Sequence, residues 1–302
     1  MISPHDSSQP APLRHAATVL LLREDGDGIE VLLTRRHENL AFMGGLWVFP
    51  GGTLSPADTA PESLARIPDD SKSRCARFTG LDGQPLAATD CLGIAVAAYR
   101  ETFEETGVLL AKCADGSHCA NDLLIRAQEQ RRAIVSQPQL FASLLREENL
   151  RLDVDRLVYW AHWITPSTAP RRFDTRFFLA SVPPRQTAVI DLVEAVEHTW
   201  ASPAAIVAAA TAGTMPVSQP TLYNLMELDA SLRQHRSLDA LLSAEAQRRV
   251  VPVLPKLLQD TATVMVLPWD ADYLNITGVS APSHIEYTSI LRSLPSRMTQ
   301  RR

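Results

Sequence analysis

The segment from Cys91 to Gly107 constrains the fold of this chain more than any other. On a helix of about 100° per residue, Leu92, Ala95, Val96, Tyr99 and Phe103 fall on one apolar stripe. Thr89 or Asp90 can cap its start, and Gly107 supplies its stop. Such a stripe has to lie on a second layer, and runs of strand type flank it. Residues 16–23 and 29–35 are short, apolar and partly alternating, with an Asp-Gly-Asp-Gly turn at 25–28 between them, which reads as a hairpin. Residues 46–49 make a third strand, ended by Pro50-Gly51-Gly52. Strand signals return at 108–111, 157–165, 173–182 and 189–200, and once more at 261–267.

Residues 119–134, 137–147, 202–212, 218–234 and 237–249 read as helices. The order of strands, helix, strands and helices predicts an α+β fold, a mixed sheet with a helical C-terminal extension. Residues 53–90 differ in composition, with several prolines and glycines and little periodicity, and read as an inserted loop with helical turns near 62–66 and 71–78. A loop of that length inside a compact domain is usually functional or mobile, and a specificity lid is the expectation for it. The division that follows is a frayed tail at 1–14, a domain at 15–205 and a mostly helical extension at 206–302 packed on the same domain.

The formal charge of −5 gives no general electrostatic reason to bind nucleic acid or an anionic membrane. No apolar run reaches the ~18 residues of a membrane span, and the first fifteen residues lack an apolar signal core. The four cysteines form no CxxC pair, so reduced thiols in a cytoplasmic protein are expected. Cys113, His118 and Cys119 lie close in sequence, but their spacing matches no standard zinc pattern.

Glu101, Glu104 and Glu105 share the helix side opposite the stripe, at i, i+3 and i+4. Like charges so spaced cost roughly 0.2–0.5 kcal/mol per pair. They also crowd the last turn, where the helix dipole favours cations by about 0.3–1 kcal/mol per charge. Arg100 offsets part of this through Glu104, and a bound divalent cation would offset far more. Hard oxygen donors of this kind suit Mg²⁺ or Mn²⁺. A solvated acidic helix end is the competing reading of the same three residues.

The neighbouring residues separate the two readings. Gly52 is followed after five residues by Asp58, and Arg100-Glu101, Glu104-Glu105, Gly107 and Val108 follow in register. This resembles the Nudix box, G-x5-E-x7-R-E-U-x-E-E-x-G-U, where U is bulky and apolar. Asp58 stands for the first Glu, Thr102 for an apolar residue, and the gap is 41 residues (59–99) in place of seven. A similarly interrupted box occurs in a branch of the Nudix family that includes a mammalian peroxisomal coenzyme A diphosphatase. The chain is similar to that branch also at Leu32–Arg36, at Trp163-Ile164-Thr165-Pro166, at Arg172–Phe178 and at Trp200-Ala201-Ser202-Pro203, so the likeness covers roughly residues 15–205.

The resemblance implies a mixed sheet sandwiched by helices, and hydrolysis of a nucleoside diphosphate-linked small molecule by metal-activated water. It implies that Glu104 and Glu105 bind the metal, that Glu101 is a further ligand or helps deprotonate the water, that the Gly51 carbonyl completes the shell, and that Arg100 orients Glu101. Asp58, Glu194 and Glu197 are further candidates to assist. Arg35, Arg36 and Arg172 are candidates for substrate phosphate, beside Arg171 and Arg176, because arginine grips phosphate bidentately. Trp160, Trp163 and Phe177 either stack on a base or pack a strand. Coenzyme A or an acyl-coenzyme A is the first substrate expectation, from the spacing of Leu32-Leu33-Thr34, Arg36, Leu40 and Gly45. His37 and Met43 depart from that branch, where Ser and His are usual. ADP-ribose, nucleotide sugars and dinucleotides are the alternatives, and a catalytically inactive ligand-binding module is the second. A homodimer is compatible with the resemblance.

Overall fold

The computed structural model describes residues 10–26, 28–73, 77–190, 195–235, 237–259 and 263–299. The chain opens with β1 (Leu13–Asp25), which turns at Gly26 into β2 (Gly28–Arg36), followed by β3 (Trp47–Val48) and β4 (Gly51–Thr53). Two short helices, α1 (Pro61–Leu64) and α2 (Asp69–Lys72), precede the long α3 (Ala88–Thr106). Then come β5 (Lys112–Cys113), α4 (Asn121–Ser136), α5 (Gln139–Glu147), β6 (Leu150–Arg151), β7 (Val158–Ile164), β8 (Arg172–Ser181) and β9 (Ala195–Ala201). Helices α6 (Pro203–Ala212), α7 (Gln219–Leu232) and α8 (Leu238–Glu245) follow. The end of the chain adds β10 (Pro252–Val253), β11 (Lys256–Gln259), β12 (Thr263–Val266), α9 (Ser289–Ser293) and β13 (Arg297–Thr299).

The main sheet runs β10-β7-β8-β1-β2-β3, with β4 beside β1 and β9 beside β2. It is mixed: β1 pairs β8 in parallel and β2 and β4 antiparallel. β1 divides its second edge between two partners, β2 along Leu22–Asp25 and β4 along Ala16–Thr18. That division brings the glycine strand β4 into the sheet beside the far end of β2. Along β1 the side chains alternate between two cores, as a strand buried on both faces requires. Ala17, Val19 and Leu21 join α3, α4 and α5 on one face, and Leu20 and Leu22 join α6, α7 and α8 on the other.

Ser202, Ser218 and Ser237 each accept a hydrogen bond from the backbone N–H three residues on, at the starts of α6, α7 and α8. Proline in the first turn of α6 and α7 fits there because the first N–H groups have no helical acceptor.

Five expectations are corrected. α3 begins at Ala88 with Ala87 as cap residue and no side-chain cap, so neither Thr89 nor Asp90 caps it. Its buried side is also much wider than one stripe. Ile94, Ala97, Ala98 and Thr102 are buried too, because α4, α5 and the insertion enclose it. Residues 108–111 form no strand. They are buried coil, and the Gln186 side chain bonds both the N–H and the C=O of Leu109, each at 2.8 Å. A short apolar run fills a core equally well without a ladder. Beyond α8 the chain turns from helix to strand, and β11, β12 and β13 form a separate antiparallel sheet. Its strand β12 falls within the predicted 261–267, and β1 begins at Leu13, inside the predicted tail.

The insertion packs into the core. Ile67 and Phe78 are buried in the α3 core, and the Phe78 ring meets Tyr159 at 4.7 Å and Phe178 at 5.8 Å between centroids. The guanidinium of Arg176, fully buried on β8, donates to the Thr79 carbonyl at 2.7 Å. Phe78→Ala is expected to destabilise the protein by about 3–5 kcal/mol in equilibrium denaturation, as for other buried aromatic deletions. An unchanged midpoint would mean that this segment stands apart from the core.

Candidate active site

The C-terminal half of α3 delivers its carboxylates to the place where β1 parts from β2 toward β4. Arg100 lies at the centre, with its side chain 3% exposed. Its Nε and one terminal nitrogen donate to the two oxygens of Asp58 at 2.7 and 2.8 Å. The other terminal nitrogen donates to Glu101 at 2.8 Å and to both oxygens of Glu104 at 3.1 Å. The Thr53 carbonyl accepts from the same guanidinium at 3.2 Å. A fork of five N–H donors suits such a task, whereas lysine offers a single point charge. Asp58 is fixed in turn by the Ser55 N–H at 2.8 Å. The 41-residue gap therefore closes in space, and Asp58 holds Arg100 from the start of the insertion.

Two neighbouring glycines make room for the site. A Cβ on Gly52 would lie 2.4–2.5 Å from the Glu101 carboxylate, so only glycine lets that group rest against β4. Gly51 has φ +155°, and a Cβ there would meet the Ala17 carbonyl oxygen at 2.4 Å. The Gly51 N–H donates to Glu105 at 3.3 Å. Thr102, in place of an apolar residue, is fully buried and gives its hydroxyl to the Ala98 carbonyl at 2.7 Å, so the helix face stays satisfied.

Burial pushes the Glu104 carboxyl up to about 7; Arg100 opposes this, and the neighbouring charges of Glu101 and Asp58 add to it. Burial would lower the Arg100 guanidinium, but Asp58, Glu101 and Glu104 outweigh it and hold the group above its ordinary range. The centre therefore carries three carboxylates on one cation, with Glu105 beside them, and its protonation depends on what other positive charge approaches.

Glu101, Glu104 and Glu105 line one hollow together with Thr34 and Arg36 of β2, Val135 of α4 and Ala195 of β9. Among the described residues no three His, Cys, Asp or Glu side chains already converge as a metal cage. The donor set nonetheless fits a hard divalent cation in type and place: three carboxylates around one hollow, one with a raised pKa, against a glycine backbone. Arg36 stands with them. Arg35 points to Glu38 at 2.9 Å and Glu197 at 3.7 Å instead. Arg172 does not line the hollow. It is buried, and donates to the Thr165 and Ala11 carbonyls at 3.2 Å each, which ties the chain ahead of β1 to the turn before β8. Arg176 is likewise structural, paired with Asp174 at 3.1 Å. Glu197 is exposed on β9, and Glu194 lies outside the described residues. Trp160, Trp163 and Phe177 are buried in the core on the sheet face away from α3. Around His118, burial and then Arg156, Lys112 and Arg185 hold the imidazole below its usual range.

Sequence reasoning missed Arg131, Gln128 and Gln186. Arg131 donates to the Glu104 carbonyl at 2.9 Å and to the Val189 carbonyl at 2.6 Å, and Gln128 donates to Gly107 at 2.6 Å. The acidic cluster at a helix end was the available signal, because such an end demands cationic or polar caps from elsewhere.

The Glu104 shift sets a pH dependence with a definite sign. A carboxyl raised in the folded state binds protons more tightly there than in the unfolded chain. In metal-free protein its contribution becomes unfavourable as pH rises through the interval from its ordinary 4.5 to about 7, and stays constant above. The melting temperature of the wild type should therefore fall relative to Glu104→Gln across that interval. A parallel pair of pH profiles would contradict the shift.

Known proteins supply an independent comparison. Residues 13–228 match the family model described as NUDT19 Nudix domain. The human acyl-coenzyme A diphosphatase NUDT19 is 28% identical over 276 residues, covering 82% of this chain and 73% of that protein. The Gallus gallus protein of the same name is 28% identical over 280 residues, covering 81% of this chain and 72% of its own length. Among solved structures, a Nudix hydrolase from Alicyclobacillus acidocaldarius is 25% identical with a TM-score of 0.57, covering 77% of this chain and 96% of its own. With the box closed around Arg100 and the mixed sheet enclosed by helices, the chain belongs to the Nudix hydrolase family, in the group described by the NUDT19 Nudix domain.

Proposed function

We propose that this protein hydrolyses the diphosphate of coenzyme A or an acyl-coenzyme A with Mg²⁺ or Mn²⁺. The observation that carries the chemistry is the reunion of Asp58, Arg100, Glu101 and Glu104 across the insertion, with Glu105 of the same helix accepting from the Gly51 N–H of the adjoining glycine strand. The substrate is inferred from the relatives, which are named acyl-coenzyme A diphosphatase.

Glu101, Glu104 and Glu105 are the residues that would hold the metal, and the Gly51 carbonyl is the backbone donor beside them. When bound, the metal neutralises phosphate oxygens and makes water nucleophilic near neutral pH. Arg100 keeps Glu101 and Glu104 in register and limits their mutual repulsion. Glu101, backed against Gly52, serves either as a further ligand or as the group that takes the proton of the attacking water at a carboxylate oxygen. Arg36 receives a substrate phosphate at the rim, as guanidinium groups do. Val135 and Ala195 add apolar surface to the same hollow. The free thiols of Cys91, Cys113 and Cys119 fit a reducing cytoplasm, and burial and then Cys113 push the Cys119 thiol up to about 12, which disfavours its thiolate. No helix among the described residues is long and apolar enough to cross a membrane.

Incubation with Mg²⁺ or Mn²⁺ and a panel of coenzyme A, acyl-coenzyme A, ADP-ribose, nucleotide sugars and diadenosine polyphosphates tests the reading. Coenzyme A or its thioester should be split into two phosphomonoesters. Glu105→Gln should retain the fold and lose at least about a hundredfold in kcat, the scale on which electrostatic catalytic groups act. Turnover confined to other members of the panel would overturn the substrate. Metal-independent turnover, or full activity in Glu105→Gln, would overturn the mechanism.

A further inference from the structure

The last turn of α3 carries Glu104 and Glu105, and its closing carbonyl groups have no partners within the helix. The described structure shows where several of them go. The Phe103 carbonyl accepts from the Gly107 N–H at 2.8 Å, inside the helix cap, where Gly107 is left-handed at φ +69°. The others are met from outside. Thr106 accepts from the Val189 N–H at 2.7 Å, and Gly107 accepts from Gln128 at 2.6 Å. Glu104 accepts from Arg131 Nε at 2.9 Å. The same guanidinium gives a terminal nitrogen to the Val189 carbonyl at 2.6 Å. Arg131 is 8% exposed, on the buried side of α4. It bridges α4, the carboxylate-bearing turn and the segment around Val189, a few residues ahead of Ala195 in the hollow.

We propose that Arg131 is a positioning residue for the hydrolysis. It acts through the main chain, touching neither substrate nor reacting atoms. Its charge sits at the negative end of the α3 dipole, behind the three carboxylates, where a cation stabilises the turn that mutual repulsion tends to fray. Its two-pronged grip fixes the Glu104 backbone to Val189, so the carboxylate-bearing turn keeps one position against the neighbouring segment. A planar guanidinium spans both carbonyls, while an ammonium reaches them only by turns. The inference rests on Glu104 and Glu105 being the metal-binding carboxylates.

The test compares Arg131→Ala, Arg131→Lys, the control Arg126→Ala and Glu105→Gln in the full chain. Arg126 is half-exposed on the same helix and, among the described residues, pairs with Asp122 and Glu148, at 3.1 and 2.7 Å. Three quantities are read: kcat and KM, Mn²⁺ affinity by electron paramagnetic resonance, and amide hydrogen exchange of residues 104–109 and 189. Arg131→Ala should lower kcat and Mn²⁺ affinity by roughly ten- to a hundredfold, the usual cost of losing a group that orients metal ligands. KM should change less, and exchange should rise at Gly107 and Val189 alone. Arg131→Lys should fall between wild type and Arg131→Ala, and Arg126→Ala should match wild type. Wild-type kcat and Mn²⁺ affinity in folded Arg131→Ala would overturn the proposal, as would an equal loss in Arg126→Ala. Should Arg131→Ala fail to fold, wild-type kcat and Mn²⁺ affinity in Arg131→Lys overturn it. Glu105→Gln separates the layers: full activity and Mn²⁺ binding there would remove the metal-site reading itself, whatever Arg131 does.

Discussion

The Arg100 guanidinium satisfies Asp58, Glu101 and Glu104 at once from a site almost closed to water. Three carboxylates against one cation leave the cluster with excess negative charge in a medium that tolerates it poorly. Arg100 makes that cluster foldable, and the excess makes it receptive to a divalent cation. The fold supplies what the arginine needs. β1 gives up β2 for β4 at Ala16–Thr18, the glycines of β4 clear space for Glu101, and the insertion bends Asp58 back onto α3.

The insertion is a structural part of the centre. It contributes Asp58 at its start and fills the α3 core with Ile67 and Phe78. Arg176 then pins it to the sheet through Thr79. Arg176 belongs to a buried group with Asp174, His162 and His15, in which Asp174 bonds all three. Those contacts hold the Asp174 carboxyl far below the usual carboxylate range against the effect of burial. On the opposite face, α6, α7 and α8 cover the sheet, and β10 lengthens it beside β7.

Much of this was legible in the residues. The spacing of Glu101, Glu104 and Glu105 placed them on one side of a helix ending at Gly107, and the helix does end there. The hairpin of β1 and β2 followed from the Asp-Gly turn. What escaped had physical causes. α3 is enclosed on nearly all sides, so an amphipathic stripe understated its burial. Val108–Ala111 has strand composition but serves as core filler, because a four-residue apolar run carries no period that distinguishes the two. Arg172 and Arg176 looked like phosphate ligands because arginine serves both roles, and only their carbonyl and carboxylate partners reveal the structural one. Arg131 could not be found from local pattern, since its partners lie 27 and 58 residues away.

The most direct measurement is an anomalous difference map from crystals grown with Mn²⁺. The cation should appear in the hollow bounded by Glu101, Glu104 and Glu105, beside Gly51, with Asp58 still holding Arg100 behind it. An enzyme that hydrolyses its substrate with Mn²⁺ but binds the ion away from these carboxylates would contradict the assignment of this cluster as the catalytic centre.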